Sequence, residues 1–219
     1  TAPSLLRPGQ ALDLPLAARF LYGAPAAGLG GEAELILEPD PNPFPRHKGF
    51  AWGVEGATYD GQRLTLTMDD TDEAGHTKVT GSVPSGLLSP MPLRAVANIA
   101  VREPGGRTTS DRLTMPVAWH DVSLGVRPRF EGAVRSGQDA VFDLLAVNPD
   151  GEAVEADKVE FRLFKDTSTW QWYRADDSWR YQRIDRETQM ATGFVDIAAA
   201  APAEWRQNLS WGRYRLEVR

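Results

Sequence analysis

This sequence contains few of the side chains that most often act in catalysis or bind metal ions, namely cysteine and histidine. The chain has no cysteine, which excludes disulfides, thiolate metal ligands and cysteine nucleophiles. Its three histidines, His47, His76 and His120, lie far apart, and no pair has the i, i+4 spacing that places two imidazoles on one helix face. We therefore expect solvated or hydrogen-bonded histidines and no metal ligands among them.

The segment DDTDEAGHTKVTG is the best candidate for a metal site. Asp70, Asp72 and Gly75 fall on the first, third and sixth positions of a calcium-binding loop. The fifth position is Ala74 and the twelfth is Gly81, so two of the required oxygen ligands are missing. The segment is therefore predicted to be a turn that joins two strands, and no metal is expected.

Two further patterns fail as active sites. GAPAAGLGG, residues 23–31, has no following Gly-Lys-Ser/Thr and lies between strands, so it is predicted to be a loop and not a phosphate cradle. No Gly-x-Ser-x-Gly elbow supports a serine nucleophile. Because no nucleophile, base and orienting partner can be assembled, we expect no catalytic residue, no cofactor and no enzyme.

The most unusual local feature is TWQWYRADDSWRYQR, residues 169–183, which is predicted to be a hairpin with ADDS as its turn. The predicted cross-strand pairs are Trp172 with Tyr181, Arg174 with Trp179 and Trp170 with Arg183. Three interpretations stay open: the rings close one end of a sandwich or cover its neighbour, they anchor a partner, or they stack on a glycan. The candidate interaction residues are Trp170, Trp172, Tyr173, Trp179 and Tyr181.

The elements that must position these residues are short β-strands. Alternating apolar runs bounded by Gly, Pro, Asn and Asp recur along the chain, and helical periodicity is nearly absent. The predicted strands cover 12–16, 33–37, 63–68, 77–83, 93–101, 112–119, 122–126, 139–147, 158–165, the two hairpin arms, 193–197 and 213–218. A helix is possible only at 201–207. This pattern predicts an all-β chain of antiparallel sandwiches.

An internal repeat divides the chain in two. RPGQALDLPLA, residues 7–17, returns as RSGQDAVFDLLA, residues 135–146, and a shift of 128 positions gives eight identities between residues 7 and 38 and their counterparts. The apolar alternation matches as well, which is typical of two copies of one half-buried strand pattern. We predict tandem domains at 1–120 and 121–219.

Charge and hydropathy exclude two classes of partner. The net charge of −6 is shared about equally by the two halves, and neither clusters the positive charge that phosphate binding needs, so nucleic acid is not expected. No run approaches 18 apolar residues, so the chain is not expected to insert into a membrane.

The two ends of the sequence suggest a piece of a longer protein. The first residues, TAPSLL, lack an initiator Met. GRYRLEVR at the other end matches the first arm, 93–101, of the terminal hairpin in the first copy, but no second arm follows. We expect the second domain to lack its last strand, which a following segment would supply.

Several of these segments together resemble one family. RPGQALDLPLAARFLYGAPAAGL resembles the strand, loop and strand that open a macroglobulin (MG) domain of bacterial α2-macroglobulins, and DDTDEAGHTKVTGSVP resembles the turn and strand that follow. The Trp/Tyr-rich hairpin and LSWGRYRLEV resemble the next MG domain. The resemblance covers essentially the whole chain and implies two fibronectin III/immunoglobulin-like β-sandwiches, the fifth and sixth of the series.

The resemblance also implies a role. It implies a periplasmic protein, anchored to the inner membrane as a lipoprotein, that traps host or foreign proteases when they cut an exposed bait segment. The family's thioester needs a Cys, which this chain lacks, and no bait segment is identifiable. We expect a non-catalytic part of the frame, whose own contacts are with neighbouring domains of the same chain. The alternative is a carbohydrate- or protein-binding sandwich pair that uses the aromatic hairpin.

Overall fold

The computed structural model describes residues 3–175 and 178–219, apart from the side chains of Tyr173 and Ala175. These residues form β-strands and no helix, which confirms the all-β prediction, and they therefore offer no helical segment that could cross a bilayer. The strands are β1 (Ala11–Ala17), β2 (Gly31–Pro39), β3 (Ala51–Trp52), β4 (Gln62–Met68), β5 (His76–Ser82), β6 (Leu93–Arg102), β7 (Thr108–Pro116), β8 (Ser123–Pro128), β9 (Asp139–Val147), β10 (Ala156–Ala175), β11 (Ser178–Ile197), β12 (Ala203–Asn208) and β13 (Arg213–Val218).

The strands belong to two compact units. Unit 1 comprises the residues up to Lys48, Trp52–Ser123 and Pro149–Gly151, and unit 2 comprises Gly49–Ala51, Leu124–Asn148 and Glu152–Arg219. The proposed domain boundary between residues 120 and 121 stays a prediction.

Unit 1 is built on an antiparallel sheet in the order β1-β5-β4-β2-β6-β7. Strand β4 pairs with β2 through its first five residues and with β5 through Thr67 and Met68, so it passes from one half of the sheet to the other. Both halves bury apolar side chains in one core, because alternate residues on each strand face inwards. That core includes Leu12, Leu14 and Val79 from one half and Leu35, Leu37 and Ala95 from the other.

Unit 2 packs two sheets on a second core: one in which β12, β9 and β8 are neighbours in that order, and a three-stranded one, β11-β10-β13. Trp205 of β12 lies in this core, with its ring 5.8 Å from that of Phe142 and 5.7 Å from that of Phe161. The possible helix at 201–207 was therefore wrong, because residues 203–208 pair with β9. The physical reason is a period of two: Trp205 is buried while its neighbours Glu204 and Arg206 are exposed or half-buried.

The internal repeat is visible in the backbone. Gln10 N–H donates to the Arg7 carbonyl at 3.1 Å, and Gln138 N–H donates to the Arg135 carbonyl at 3.0 Å, with a positive-φ glycine in each turn. β10 takes the place of β2, and β13 pairs with β10 as β6 pairs with β2. Unit 2 therefore repeats this part of unit 1. The expectation that a further segment pairs with β13 stays a prediction.

Candidate functional site

The candidate site lies on a two-stranded extension of unit 2. β10 and β11 are each 20 residues long, whereas β13 pairs with β10 only from Phe161 to Asp166. Beyond that point the side chains described from Thr167 on β10 to Met190 on β11 are exposed. Residues 167–175 and 178–190 are called the aromatic hairpin here.

The register of the hairpin is the one that the sequence predicted. Trp172 pairs with Tyr181, Arg174 with Trp179 and Trp170 with Arg183. Because directly opposed residues of an antiparallel pair project to the same face, all six side chains share one face. This face is called the aromatic face.

Three of the rings form an ordered stack on that face. The ring centroids of Trp170 and Tyr181 are 4.8 Å apart with planes 12° from parallel, and those of Trp172 and Tyr181 are 4.7 Å apart at 38°. Tyr181 therefore contacts an indole on each side, and the three rings are called the aromatic ladder. The ladder residues remain 52% to 64% exposed, and the nearby Trp179 is 67% exposed.

This arrangement bears on the interpretations left open above, of which the one that the rings cover a neighbouring domain stays a prediction. The idea that the rings close one end of a sandwich was wrong for unit 2, because the arms run beyond its core and leave the rings in solvent. A glycan platform needs ring faces exposed side by side, whereas here the faces are turned towards one another. The partner-contact interpretation is the one the geometry favours. The side chain of Tyr173 lies outside the described residues, so its assignment to the site stays a prediction, as do those of the other four residues.

A charged cluster adjoins the ladder. Arg183 Nε donates to Asp185 Oδ1 at 2.6 Å, and Ser168 Oγ donates to the same oxygen at 2.6 Å. These hydrogen bonds, first from Ser168 and then from Arg183, lower the pKa of Asp185 from its ordinary value. The aromatic rings are thus bordered by polar groups that are already paired, which is the composition of a protein contact surface with a polar rim.

The opposite face of the hairpin is mostly polar. Thr167, Thr169 and Gln171 lie there, and Ile184 and Gln182 are opposite the last two. Since one face is aromatic and the other polar, the hairpin is amphipathic although both faces meet solvent. Its apolar surface is therefore available for a contact that unit 2 does not itself provide.

Two of the other candidate residues, Asp72 and His47, form hydrogen bonds within unit 1. Asp72 Oδ1 accepts the backbone N–H groups of Ala74 and His76 at 2.9 and 2.8 Å, which confirms the predicted turn. His47 Nε2 lies 2.8 Å from the Gly151 carbonyl oxygen, so this histidine is hydrogen-bonded. Within residues 3–175 and 178–219, no group of three His, Asp or Glu side chains is placed to hold a metal ion.

The loop at 23–31 is held by a buried hydroxyl that the sequence analysis did not single out. Thr71 Oγ1 donates to the Ala26 carbonyl at 2.6 Å and accepts the Leu29 N–H at 2.8 Å. The glycine-rich segment before β2 is therefore a loop, as predicted, and Thr71, which directly precedes Asp72, holds it through these two hydrogen bonds.

Sequence reasoning also missed a buried ionic cluster in unit 2. The Asp143 side chain is 4% exposed, and Arg127 Nη2 and Arg129 Nη2 lie 2.7 and 2.6 Å from its two oxygens. The hydrogen bond from Arg129 is the largest influence, and with Arg127 it outweighs burial, so the pKa of Asp143 is lowered. Arg129 also binds Glu204 of β12 at 2.5 Å. The sequence feature that could have indicated this cluster is an acidic residue inside the apolar run of β9, which follows an Arg-Pro-Arg segment.

Comparison with known proteins identifies the family. Residues 1–118 match the model of the bacterial alpha-2-macroglobulin MG5 domain, and residues 125–219 match that of bacterial macroglobulin domain 6. The chain is 31% identical over its full length to an alpha-2-macroglobulin of Xylella fastidiosa strain 9a5c, and 24% identical over 98% of its length to that of Escherichia coli K12. It spans only 13% and 14% of these relatives.

Solved structures agree in fold. Native E. coli alpha-2-macroglobulin matches all of this chain with a TM-score of 0.68, and the E. coli protein activated by porcine elastase matches it with 0.72. Each match has 24% identity and covers 15% and 20% of the respective structure, so this likeness concerns the fold alone. Together with the two family models, which follow one another in order, it shows that the chain belongs to the bacterial alpha-2-macroglobulin family as an MG5 domain followed by an MG6 domain.

Proposed function

We propose that this chain is a non-catalytic section of the frame of a bacterial protease trap. The observation that carries the proposal is the consecutive match to MG5 and MG6 over residues 1–118 and 125–219. Macroglobulin domains of this family are non-catalytic. Since the chain spans 13% of the length of the relative it matches at 31% identity, the trapping activity is proposed for a longer parent protein.

The structure supports a mechanical role because each unit has a core of its own. Leu35 and Leu37 are fully buried in unit 1, and Leu144 is fully buried in unit 2. In unit 2 the Asp143 cluster also joins β9 to β12 and to the segment that starts with β8. Units of this kind keep their internal packing while the arrangement of domains around them changes.

The proposed partners are proteases, met through the parent protein, and neighbouring domains of the same chain. Solved relatives include E. coli alpha-2-macroglobulin activated by porcine elastase and by trypsin. We further propose a periplasmic parent anchored to the inner membrane as a lipoprotein. Osmotic-shock fractionation together with labelling by radioactive palmitate tests this location, and a parent found unlabelled in the cytoplasm would contradict it.

The trap proposal is tested by incubating the parent protein with trypsin and then assaying two substrates. An enclosed protease should still cleave a small chromogenic peptide but should lose activity on a large protein, because only the small substrate can reach it. Leu144→Ala, which opens a cavity in the core of unit 2, should reduce this discrimination, whereas Leu21→Ala at an exposed position should not. Equal cleavage of both substrates by trypsin that has reacted with the wild-type parent would refute the proposal.

A further inference from the structure

The aromatic hairpin carries an unpaired backbone edge directly beside the aromatic ladder. β13 follows β10 only as far as Asp166. In the part of the chain that the structure describes, no other strand pairs with β10 on that side. The edge of β10 from Thr167 to Trp172 is therefore open to another strand.

The hydrogen-bond pattern shows which residues face this edge. Glu160 N–H donates to the Arg219 carbonyl at 2.9 Å, and Arg219 N–H donates back to the Glu160 carbonyl at 2.8 Å. In an antiparallel ladder such pairs recur at every second residue. The alternation continues along β10, because the register shift at Leu163 places the extra residue, Met190, on β11.

Ser168, Trp170 and Trp172 consequently direct their backbone N–H and C=O groups to the open edge. Their side chains lie on the aromatic face, because both the edge and the face alternate with a period of two. An incoming strand would thus form backbone hydrogen bonds with the same residues whose rings build most of the ladder.

Nothing in the sequence of this edge protects it. Exposed edges are usually blunted by Lys, Pro, a bulge or a very short strand. The edge segment TSTWQW contains neither Lys nor Pro, and its Thr and Trp residues favour extended backbone. The segment of β10 that pairs with β13 shows that the same strand edge already accepts a partner strand.

We propose that this edge binds an extended polypeptide strand, which continues the line of β13 along β10. Side chains of that strand on the aromatic face would pack against Trp170 and Trp172, and those on the other face would meet Thr169 and Gln171. The geometry therefore selects a strand in which apolar and polar residues alternate. This proposal does not depend on the protease-trap function.

The test uses the full 219-residue chain and a defined probe, the fluorescein-labelled peptide Lys-Thr-Val-Thr-Val-Thr-Val-Thr-Lys. Fluorescence anisotropy measures binding, and hydrogen exchange follows the amides of Trp170 and Trp172, which the bound peptide should protect. The matched probe is the same peptide with every second amide N-methylated. It keeps the side chains but cannot form the backbone ladder, so it should not bind.

The matched variants separate the edge from the side chains. Ser168→Pro removes an N–H that faces the edge without touching the β10–β11 ladder, and Ser168→Ala removes only the hydroxyl that bonds Asp185. We expect the proline variant to bind the peptide about tenfold more weakly and the alanine variant to bind it normally. Trp172→Ala should also weaken binding, whereas Phe194→Ala, at an exposed ring outside the hairpin, should not.

Three outcomes would overturn the proposal. The first is no binding of the unmodified peptide up to about 1 mM, a concentration that would still detect very weak association. The second is equal binding of the N-methylated peptide, a result that needs no variant to fold. The third is self-association of the chain, measured by sedimentation, that Ser168→Pro abolishes, since the edge would then serve a second copy of this chain.

Discussion

Replacing Asp143 by Asn tests whether the buried ionic cluster stabilises unit 2. In the folded protein the carboxylate accepts hydrogen bonds from Arg127 Nη2 at 2.7 Å and from Arg129 Nε at 2.7 Å. An amide of the same shape has one acceptor oxygen and an NH2 group, which would face a guanidinium N–H. One of the two arginines therefore loses its partner and meets another donor.

The loss of stability depends on whether water can hydrate the arginine that loses its partner. Removing one partner of a charged hydrogen bond costs about 1.5–3 kcal/mol of stability. The larger cost of about 3–5 kcal/mol applies when an uncompensated charge stays buried. The side chains of Arg127 and Arg129 are 40% and 47% exposed, so solvent can hydrate them after the change. We expect Asp143→Asn to lower the free energy of unfolding by about 2 kcal/mol at pH 7.

The effect should depend on pH with a definite sign. The pKa of Asp143 is lower in the folded protein than its ordinary value of about 3.9, so the folded state favours the ionised form. Its contribution is therefore complete above the unfolded pKa and is lost as the pH falls through the folded pKa. The difference between wild type and Asp143→Asn should be constant from about pH 7 to 5 and should shrink below about pH 4.

Native-state hydrogen exchange of the β9 amides measures this difference for unit 2 separately from unit 1. Asp185→Asn is the matched control, because it makes the same chemical change at an exposed ion pair and should leave β9 exchange unchanged. If Asp143→Asn remains within about 0.5 kcal/mol of wild type at pH 7, the argument that this cluster supports unit 2 is refuted.

Three further predictions concern unit 1. Leu35→Ala should lower its free energy of unfolding by about 2–5 kcal/mol in urea titrations, and Leu21→Ala, at a position 94% exposed, should change it by less than about 0.5 kcal/mol; equal effects would contradict the assigned core. Gly75→Ala should lower the melting temperature in calorimetry, because the residue has φ of +79° and a Cβ would lie 2.4 Å from the Ala18 carbonyl oxygen; an unchanged melting temperature would argue against this turn. Thr71→Val should cost about 1–3 kcal/mol and speed the exchange of amides in the 23–31 loop, and protection equal to wild type would refute the role given to its hydroxyl.

Local turn chemistry and period-two patterns were enough to predict much of this fold. The hairpin register followed from placing ADDS at the turn, because a two-residue connection leaves one way to align the arms. The fifth and sixth macroglobulin domains were implied by a family resemblance, carried by residues 7–29 and 69–84 for the first domain and by the hairpin and LSWGRYRLEV for the second, and the family models match in that order.

The features that were missed depend on tertiary context. Residues 158–165 and the first hairpin arm are one strand, but polar residues interrupt the alternation at Asp166–Ser168. A strand that has left the core meets solvent on both faces, so its side chains need not alternate. Asp143 was missed for a related reason: whether an acidic residue inside an apolar run is buried depends on arginines that only the fold brings to it.

Strand β10 contributes both to the core of unit 2 and to the aromatic ladder, through different residues. Leu163 and Phe161 project from β10 into the core, whereas Trp170 and Trp172 occupy the alternate positions further along the same strand. The packing of unit 2 therefore does not need the ladder rings, which are stacked on one another without any partner. Binding of a partner to stacked rings costs less side-chain entropy than binding to rings that must first be ordered. Removing the central ring by Tyr181→Ala should thus weaken strand binding while leaving β9 exchange unchanged, and a loss of protection in β9 would show that the ladder supports the fold instead.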